Sequence, residues 1–475
     1  MTASSKKNTT ILAVLLMGTF LCNINQTLLN VALPKIMEDF QISASLGQWL
    51  STGYMLVSGL MIPITAFLIE RFKTRPLYIF SITMFLLGSA ISGFAPNFII
   101  LVAGRMVQAI GAGIIMPLMT VTLMTIYPPH KIGSVMGLVG LAMNFAPGIA
   151  PTLAGWIVQD YHWRYLFYGL LPFAGLNLIL AIFFLTNVGK QKMLKFNVLG
   201  VILSSLGLGS LLLGFSNAGE NPWLSFKVLG VITIGLILTY LFIKQQLGQK
   251  IPMLNFLVFK SKMFTMTTII NFIIIMALYG GMLLLPMFLQ NVRGVSPFIS
   301  GIIMLPGAFF MAILSPLSGR LFDRYGAKPV TFIGLIILII GTIMFASLNE
   351  TTTVFFACLA QTIRSIGLVL ILMPLQTEAL KSLPIEIVAH GTAMFQTTRQ
   401  IAGSIGTSLL ITAMSMASTY HDTHLLAASS GTAQESLLYG IRVAYIITTL
   451  LCILALLLTT RLKKQQPMDT RHFIN

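Results

Sequence analysis

The sequence predicts an all-α polytopic membrane protein with fourteen transmembrane helices, built as two six-helix bundles with two extra helices inserted between them. Three observations carry that expectation. Of 475 residues, 56% are hydrophobic and only 9% charged, against about 25% charged in a soluble chain. Apolar runs long enough to cross a bilayer, about 20 residues each, recur from end to end. A short acid–cation sequence appears twice, 253 residues apart.

The apolar segments fall near 10–32, 46–69, 77–95, 98–126, 132–157, 165–186, 197–215, 227–244, 264–290, 297–318, 329–348, 352–375, 388–416 and 440–460. Fourteen is even, so both termini share one side. Basic residues name that side. With a cytoplasmic N-terminus, 21 of the 29 lysines and arginines fall in inside segments. Five (Lys35, Arg164, Lys227, Arg293, Arg442) fall outside, and three (Arg105, Arg364, Arg399) lie within spans. Such a bias fixes orientation by the positive-inside rule, and one missed span would scramble it. The expected location is therefore a bacterial-type cytoplasmic membrane, multi-pass, with both termini cytoplasmic.

The net charge of +17 is then topological. A nucleic-acid partner would need a soluble basic face with motif context, which is missing. Cys22, Cys358 and Cys452 sit in three separate apolar spans, with no disulfide or metal spacing. Lys6 and Lys7 precede an apolar stretch as in a signal peptide, but no small-residue cleavage site follows, so a retained first span is expected. No cofactor or metal is expected.

The repeat organises the rest. Residues 66–76 read AFLIERFKTRP and residues 319–329 read GRLFDRYGAKP. Glu70 matches Asp323, Arg71 matches Arg324, Arg75 matches Lys328 and Pro76 matches Pro329. Each copy is placed in the short loop after the second span of a half. Six spans plus loops occupy roughly 190 residues, and the surplus fits an inserted pair at 197–215 and 227–244. The expected units are an N-terminal bundle over 1–190, the inserted pair and its linkers over 191–262, a C-terminal bundle over 263–465 and a cytoplasmic tail over 466–475.

With these features together the chain resembles the major facilitator superfamily, specifically its fourteen-span drug:proton antiporter branch of multidrug and lincomycin-type exporters. The two loops resemble GxLxDRxGRxx. LVAGRMVQAIGAG (101–113) resembles the fourth-span arginine motif, and FAPGIAPTLAGW (145–156) the fifth-span antiporter motif GPxxGPxxGGW. INQTLLNVALP (24–34) is similar to LDxTIVNVALP. HWRYLFYGLLPFAG (162–175) and TTRQIAGSIGTSLL (397–410) also look like the branch. The resemblance implies a monomeric secondary transporter that exports small molecules by alternating access, with the proton as partner. Duplicated halves commonly place a transporter's site between them at the midplane.

In this reading Glu70, Arg71, Arg75, Asp323, Arg324 and Lys328 form cytoplasmic gating loops. A carboxylate is favoured near a helix N-terminus by about 0.3–1 kcal/mol. Glu70 and Asp323 can therefore pin neighbouring helix ends or pair with Arg71 and Arg324; alternatively the cations are topogenic and the acids solvated. In the fifth span Ala146, Ala150 and Ala154 recur every four residues, as do Pro147, Pro151 and Gly155 one position on, so each set stacks on one face. Small faces let helices approach closely in lipid. That face serves ordinary packing or, by the resemblance, seals the cavity against leak.

Intramembrane charge is the most informative feature, because an ionisable residue there is a functional candidate by default. Arg105, Arg364 and Arg399 qualify, and no Asp or Glu is placed deep in a span; Glu378 and Glu386 are assigned to the loop after the twelfth. Asn25 stands where the first-span signature has Asp, which removes the obvious proton carrier. Counted at about 1.5 Å per residue, Asn25 and Arg105 lie at similar depth; the resemblance implies that their helices are close, so that the two can meet. They form either a polar site for neutral or anionic groups or a purely structural contact. Asn23, Gln26, Thr27 and Asn30 make a polar stripe at helical spacing, which must face protein or water. Gln108, Asn144, Asn271, Gln290, Gln361 and Gln396 are further cavity candidates. The 27 methionines and 32 phenylalanines can line a promiscuous pocket. The histidines fall near span ends or loops, and none reads as an intramembrane relay.

Three functions compete. Drug export driven by the proton gradient comes first. Export of an endogenous neutral or anionic metabolite or lipid is the alternative, favoured by buried arginines without buried acids. A non-transporting sensor lacks any soluble domain to support it. Catalysis is not expected, since no nucleophile–base pair, metal cluster or nucleotide loop is found.

Overall fold

The computed structural model describes residues 3–189, 191, 197–218, 222–249, 252–424 and 433–462. Lys190, Lys192, Lys195, Lys250, Lys463, Lys464, Arg471 and the expected tail lie outside the described residues, as do the side chains of Asn30 and Pro151.

Among the described residues, fourteen helices are long and apolar enough to cross a membrane. They are α1 (Ala3–Phe40), α2 (Trp49–Arg71), α3 (Thr74–Gly93), α4 (Phe98–Ile126), α5 (Ile132–Asp160), α6 (Tyr165–Phe184) and α7 (Val198–Asn217). Then follow α8 (Val231–Leu247), α9 (Lys262–Met287), α10 (Pro297–Tyr325), α11 (Ala327–Ala346), α12 (Val354–Lys381), α13 (Val388–His424) and α14 (Ala433–Thr460). A helix satisfies its own backbone, which is what lipid demands. Caps sharpen several starts: Asn97 accepts from Ile100 N, Asn197 from Gly200 N and Thr353 from Phe356 N.

Each expected apolar segment falls on one of these helices, but several ends differ. The apolar run under-reads helix length, because polar residues continue a helix beyond the lipid. Helix α12 runs on to Lys381, so Glu378 lies in its last turn and is buried, not in a loop. Glu386 sits in the short turn before α13. Glu70 and Asp323 likewise belong to the last turns of α2 and α10, and the loops after them shrink to two residues and one.

The contacts are duplicated. Helix α1 packs on α5 and α6, α2 on α4, and α3 on α4 and α6. The same pairs recur eight helices later: α9 on α13 and α14, α10 on α12, and α11 on α12 and α14. The bundles meet through two matched pairs, α5 with α10 and α2 with α13. Helix α7 of the inserted pair lies against both α2 and α13. Ser404, Ser408 and Thr412, one turn apart on α13, donate to the Leu212, Phe215 and Ala218 carbonyls at its end.

Glycines set the α5–α10 approach. A Cβ on Gly319 would lie 2.1 Å from the Gly133 carbonyl oxygen, and one on Gly148 would lie 2.0 Å from Ala308 Cβ. Backbone against backbone cannot yield as a side-chain tip can. Gly319→Ala is therefore expected to insert normally but to lose about 1–3 kcal/mol of stability, read as a lower unfolding midpoint in detergent. An unchanged midpoint would mean that the helices stand further apart.

Candidate functional site

One face of the protein collects the ends of α2, α4, α6, α8, α10, α12 and α14 and the starts of α1, α3, α5, α7, α9, α11 and α13. We refer to it as the basic face. Its acids and cations divide the labour. The cations hold each bundle to itself: Arg75 donates to the Ile182 carbonyl at 2.5 Å, and Lys328 to the Thr460 carbonyl at 2.7 Å. Each ties the start of one helix to the end of the last helix of its bundle. Arg71 lies over the Phe67 and Phe72 rings, and Arg324 over Tyr325.

The acids reach across to the other bundle. Asp323 accepts from Gly133 N at 2.8 Å, Ser134 N at 2.7 Å and Ser134 Oγ at 2.6 Å, at the N-terminus of α5. Free amides and the helix dipole make that end an anion site. Glu70 meets His390 in the first turn of α13, Oε1 to Nε2, at 3.3 Å, with both side chains buried. Asp323 thus meets backbone amides at a helix end, and Glu70 meets a side chain in the first turn of the opposite helix.

The two contacts are mates in the repeat. Within α3 and α11 the offset stays 253: a Cβ on Gly88 would crowd Gln108 N and the Gly104 carbonyl, and one on Gly341 would crowd Arg364 N and the Ala360 carbonyl. In α4 and α12 the offset is 256. Gly111 approaches Ser81 and Phe85, and Gly367 approaches Gly334 and Leu338. The extra three residues lie in the connection 347–353, against 94–97 in the first half. Carried on to α5 and α13, the offset of 256 makes His390 the counterpart of Ser134. It also makes Gln361 the counterpart of Arg105, and Arg364 that of Gln108. The R-x-x-Q of one half is Q-x-x-R in the other.

His390 does not stand out in the sequence. A constant offset of 253 places Ile387 opposite Ser134. Only the three-residue shift, visible in how the glycines pack, brings the histidine into register.

Deeper in the first bundle, Asn25 and Arg105 come together through a third residue. Gln108 Oε1 accepts from Arg105 Nη1 at 2.8 Å and from Asn25 Nδ2 at 3.4 Å, and Gln108 Nε2 donates to Ser89 Oγ at 2.6 Å. The guanidinium lies 4.2 Å from the centre of the Tyr54 ring, and its Nε donates to the Leu50 carbonyl at 3.4 Å. Arg105, Gln108 and Asn25 are at most 1% exposed, yet Arg105 Nη2 has no hydrogen-bond partner. In the second bundle Arg364 Nη2 donates to the Ala277 carbonyl at 3.1 Å, and its Nε is unpartnered. Arg399 is half-buried in the first third of α13.

The other candidates separate by partner. Asn23 and Thr27 bond carbonyls of their own helix, so part of the first-span stripe is spent locally. Gln26 is half-exposed on the same helix. Asn144 Nδ2, Asn271 Nδ2 and Gln361 Oε1 are buried without partners. Gln396 is buried on α13, and Gln290 lies in the turn Phe288–Val292 after α9. Buried polar atoms in a folded protein are nearly always paired. The unpaired amide and guanidinium atoms lie on α4, α5, α9 and α12. Ala146, Ala150 and Ala154 are fully buried in the first bundle's core, whereas Gly155 approaches Phe298 of α10. Pro147 is half-buried in the same helix.

Two pseudo-symmetric membrane bundles, joined by breakable contacts at one face and holding unpaired polar groups within, define a membrane transporter. The chain belongs to the Major Facilitator Superfamily, whose description matches residues 15–407. It is 44% identical to an uncharacterized transporter of that superfamily, YhcA, from Bacillus subtilis (strain 168), over 92% of this chain and 82% of that one. It is 37% identical to the lincomycin resistance protein LmrB of the same organism, over 94% of each chain. Its fold is similar to that of the human organic anion transporter MFSD10, with a TM-score of 0.68, 14% identity, and coverage of 95% of this chain and 99% of that one. The relatives bear out the resemblance to multidrug-type exporters of the superfamily.

Proposed function

We propose that this protein exports small amphipathic molecules, drugs and toxic compounds among them, across a bacterial-type cytoplasmic membrane by alternating access driven by the proton gradient. The observation that carries this reading is the pair of crossed carboxylates. Opening the basic face requires both Asp323 and Glu70 to let go of the opposite bundle, and closing it re-forms both contacts. That gives one gate with two discrete states. The relatives named for lincomycin and multidrug resistance supply the substrate class.

In this reading the basic face is cytoplasmic. Tags at residues 1 and 475 are expected to report the same side, and opposite sides would sink it. The protein works as a monomer, with residues 1–190 and 263–465 moving as the two bundles, 191–262 between them and 466–475 as a cytoplasmic tail. Arg105, Asn25, Gln108, Arg364, Arg399 and the unpaired amides line the path of the substrate.

The test is transport into inside-out vesicles with an imposed pH gradient, using lincomycin, a cationic dye and an anionic dye as probes. Gradient-driven accumulation of at least one is expected. A second reading, export of an endogenous neutral or anionic molecule, is favoured by one observation. The spans hold three arginines, and among the described residues no carboxylate lies at their depth. Asn25→Asp discriminates within the same assay. Beside Arg105 it supplies a membrane carboxylate and is expected to shift preference toward the cationic dye and to alter the pH dependence. If both stay as in the wild type, the first-span position governs neither selectivity nor coupling.

A further inference from the structure

We propose that His390 is the coupling residue: it carries the proton while the cytoplasmic face is shut against Glu70 and gives it to cytosolic water when α2 and α13 part. The proposal rests on the proton-driven export proposed above and names the group that does the coupling.

Four observations lead there. First, the two latches differ in one respect. Asp323 is held by backbone amides and a hydroxyl, groups that do not titrate, whereas its mate Glu70 is held by an imidazole. Imidazole is the side chain whose ordinary charge change falls between about pH 5 and 8. Second, the pair lies between the bundles, at 5% and 8% side-chain exposure. The contact that holds the proton is thus also the one that shields it from the cytosol. Third, His390 Nδ1 is buried without a partner. The imidazolium would pair with the carboxylate but leave its second N–H unbonded, so neither protonation state satisfies every group around the ring. Fourth, the polar groups deeper in the first and second bundles do not exchange protons: Asn25 cannot titrate, and the buried arginines keep theirs.

The elements packed against α13 present Arg71 on α2, Lys260 and Lys262 at the start of α9, and Glu378 and Lys381 on α12. Glu386 precedes α13 and Arg461 follows α14. Lys381 is turned over the Phe322 ring. On α13 itself, Thr397 lies seven residues beyond His390, hence on the same face, and its buried hydroxyl is unpartnered. It gives a polar step from the interior toward the imidazole.

The sign follows from the charges. A protonated His390 adds an ion pair that exists only in the closed state. Closure is therefore favoured as pH falls and weakened as it rises.

The test needs neither substrate nor gradient. Spin labels are placed at Lys73→Cys and Ile385→Cys, exposed on opposite bundles, with Cys22, Cys358 and Cys452 replaced by Ala. The distance distribution is measured in nanodiscs from pH 5.5 to 8.5. The closed-to-open ratio is expected to fall about tenfold between pH 6 and 8, and His390→Gln is expected to reduce that change to under about twofold. His390→Ser copies the mate at Ser134 and provides a second variant; it is expected to close independently of pH. Asp323→Asn is expected to open the face at every pH while keeping the slope. A wild-type ratio that ignores pH, or a full slope in His390→Gln or His390→Ser, would overturn the proposal. Failure of drug accumulation in vesicles would instead count against the export reading alone.

Discussion

Asp323→Asn is expected to slow substrate export about tenfold or more, with normal amounts of protein in the membrane. The carboxylate takes three hydrogen bonds from the first turn of α5, two of them from backbone amides. Charge-assisted bonds of this kind are worth roughly twice neutral ones. Asparagine keeps one acceptor oxygen and turns its NH2 toward groups that already donate. The closed state should lose about 2–3 kcal/mol, which shifts the closed-to-open ratio by about 30-fold or more. Folding should suffer less, because α5 and α10 remain packed along their lengths by the glycine approaches. Initial export rates in vesicles, normalised to protein by quantitative blot, decide it. A wild-type rate would remove Asp323 from the gate.

Arg105→Met is expected to abolish export, by about 100-fold or more, while thermal stability stays level or rises. Taking a cation out of water costs several kcal/mol. Around Arg105 the compensation is partial: one short bond to Gln108, a long one to the Leu50 carbonyl, the Tyr54 ring face, and nothing for Nη2. An apolar chain of similar length needs none of that, so the exchange relieves a desolvation cost that the fold offsets only in part. A residue that burdens the fold and is still present fits a functional role. Paired measurement of unfolding midpoint and export rate is the check. A large fall in midpoint would make Arg105 structural, and retained export would remove it from the substrate path.

The same mutation reads differently on the other side of the pseudo-two-fold. Arg364 sits where Gln108 sits, not where Arg105 sits, and it bonds a backbone carbonyl of α9. The two arginines are therefore not interchangeable copies, and their variants should not share one phenotype.

The spans, their number and the duplicated architecture were legible in the sequence. Those follow from local properties: apolar length against bilayer thickness, and a repeat that keeps one offset from Glu70/Asp323 to Pro76/Pro329, with Arg71/Arg324 and Pro76/Pro329 identical. Arg105, Arg364 and Asn25 also stood out there, because charge and amide are conspicuous in an apolar run. Helix ends were less legible, since α12 extends through polar residues to Lys381 and carries Glu378 with it. The partners of the acids emerge only once the chain is folded. In sequence Glu70 adjoins Arg71 and Asp323 adjoins Arg324, yet both carboxylates cross to the opposite bundle, because unbonded amides or an imidazole await them there. His390 was invisible for the same reason. Its role depends on a three-residue shift in register and on the packing of α13 against α2, and both are properties of the folded chain rather than of any segment within it.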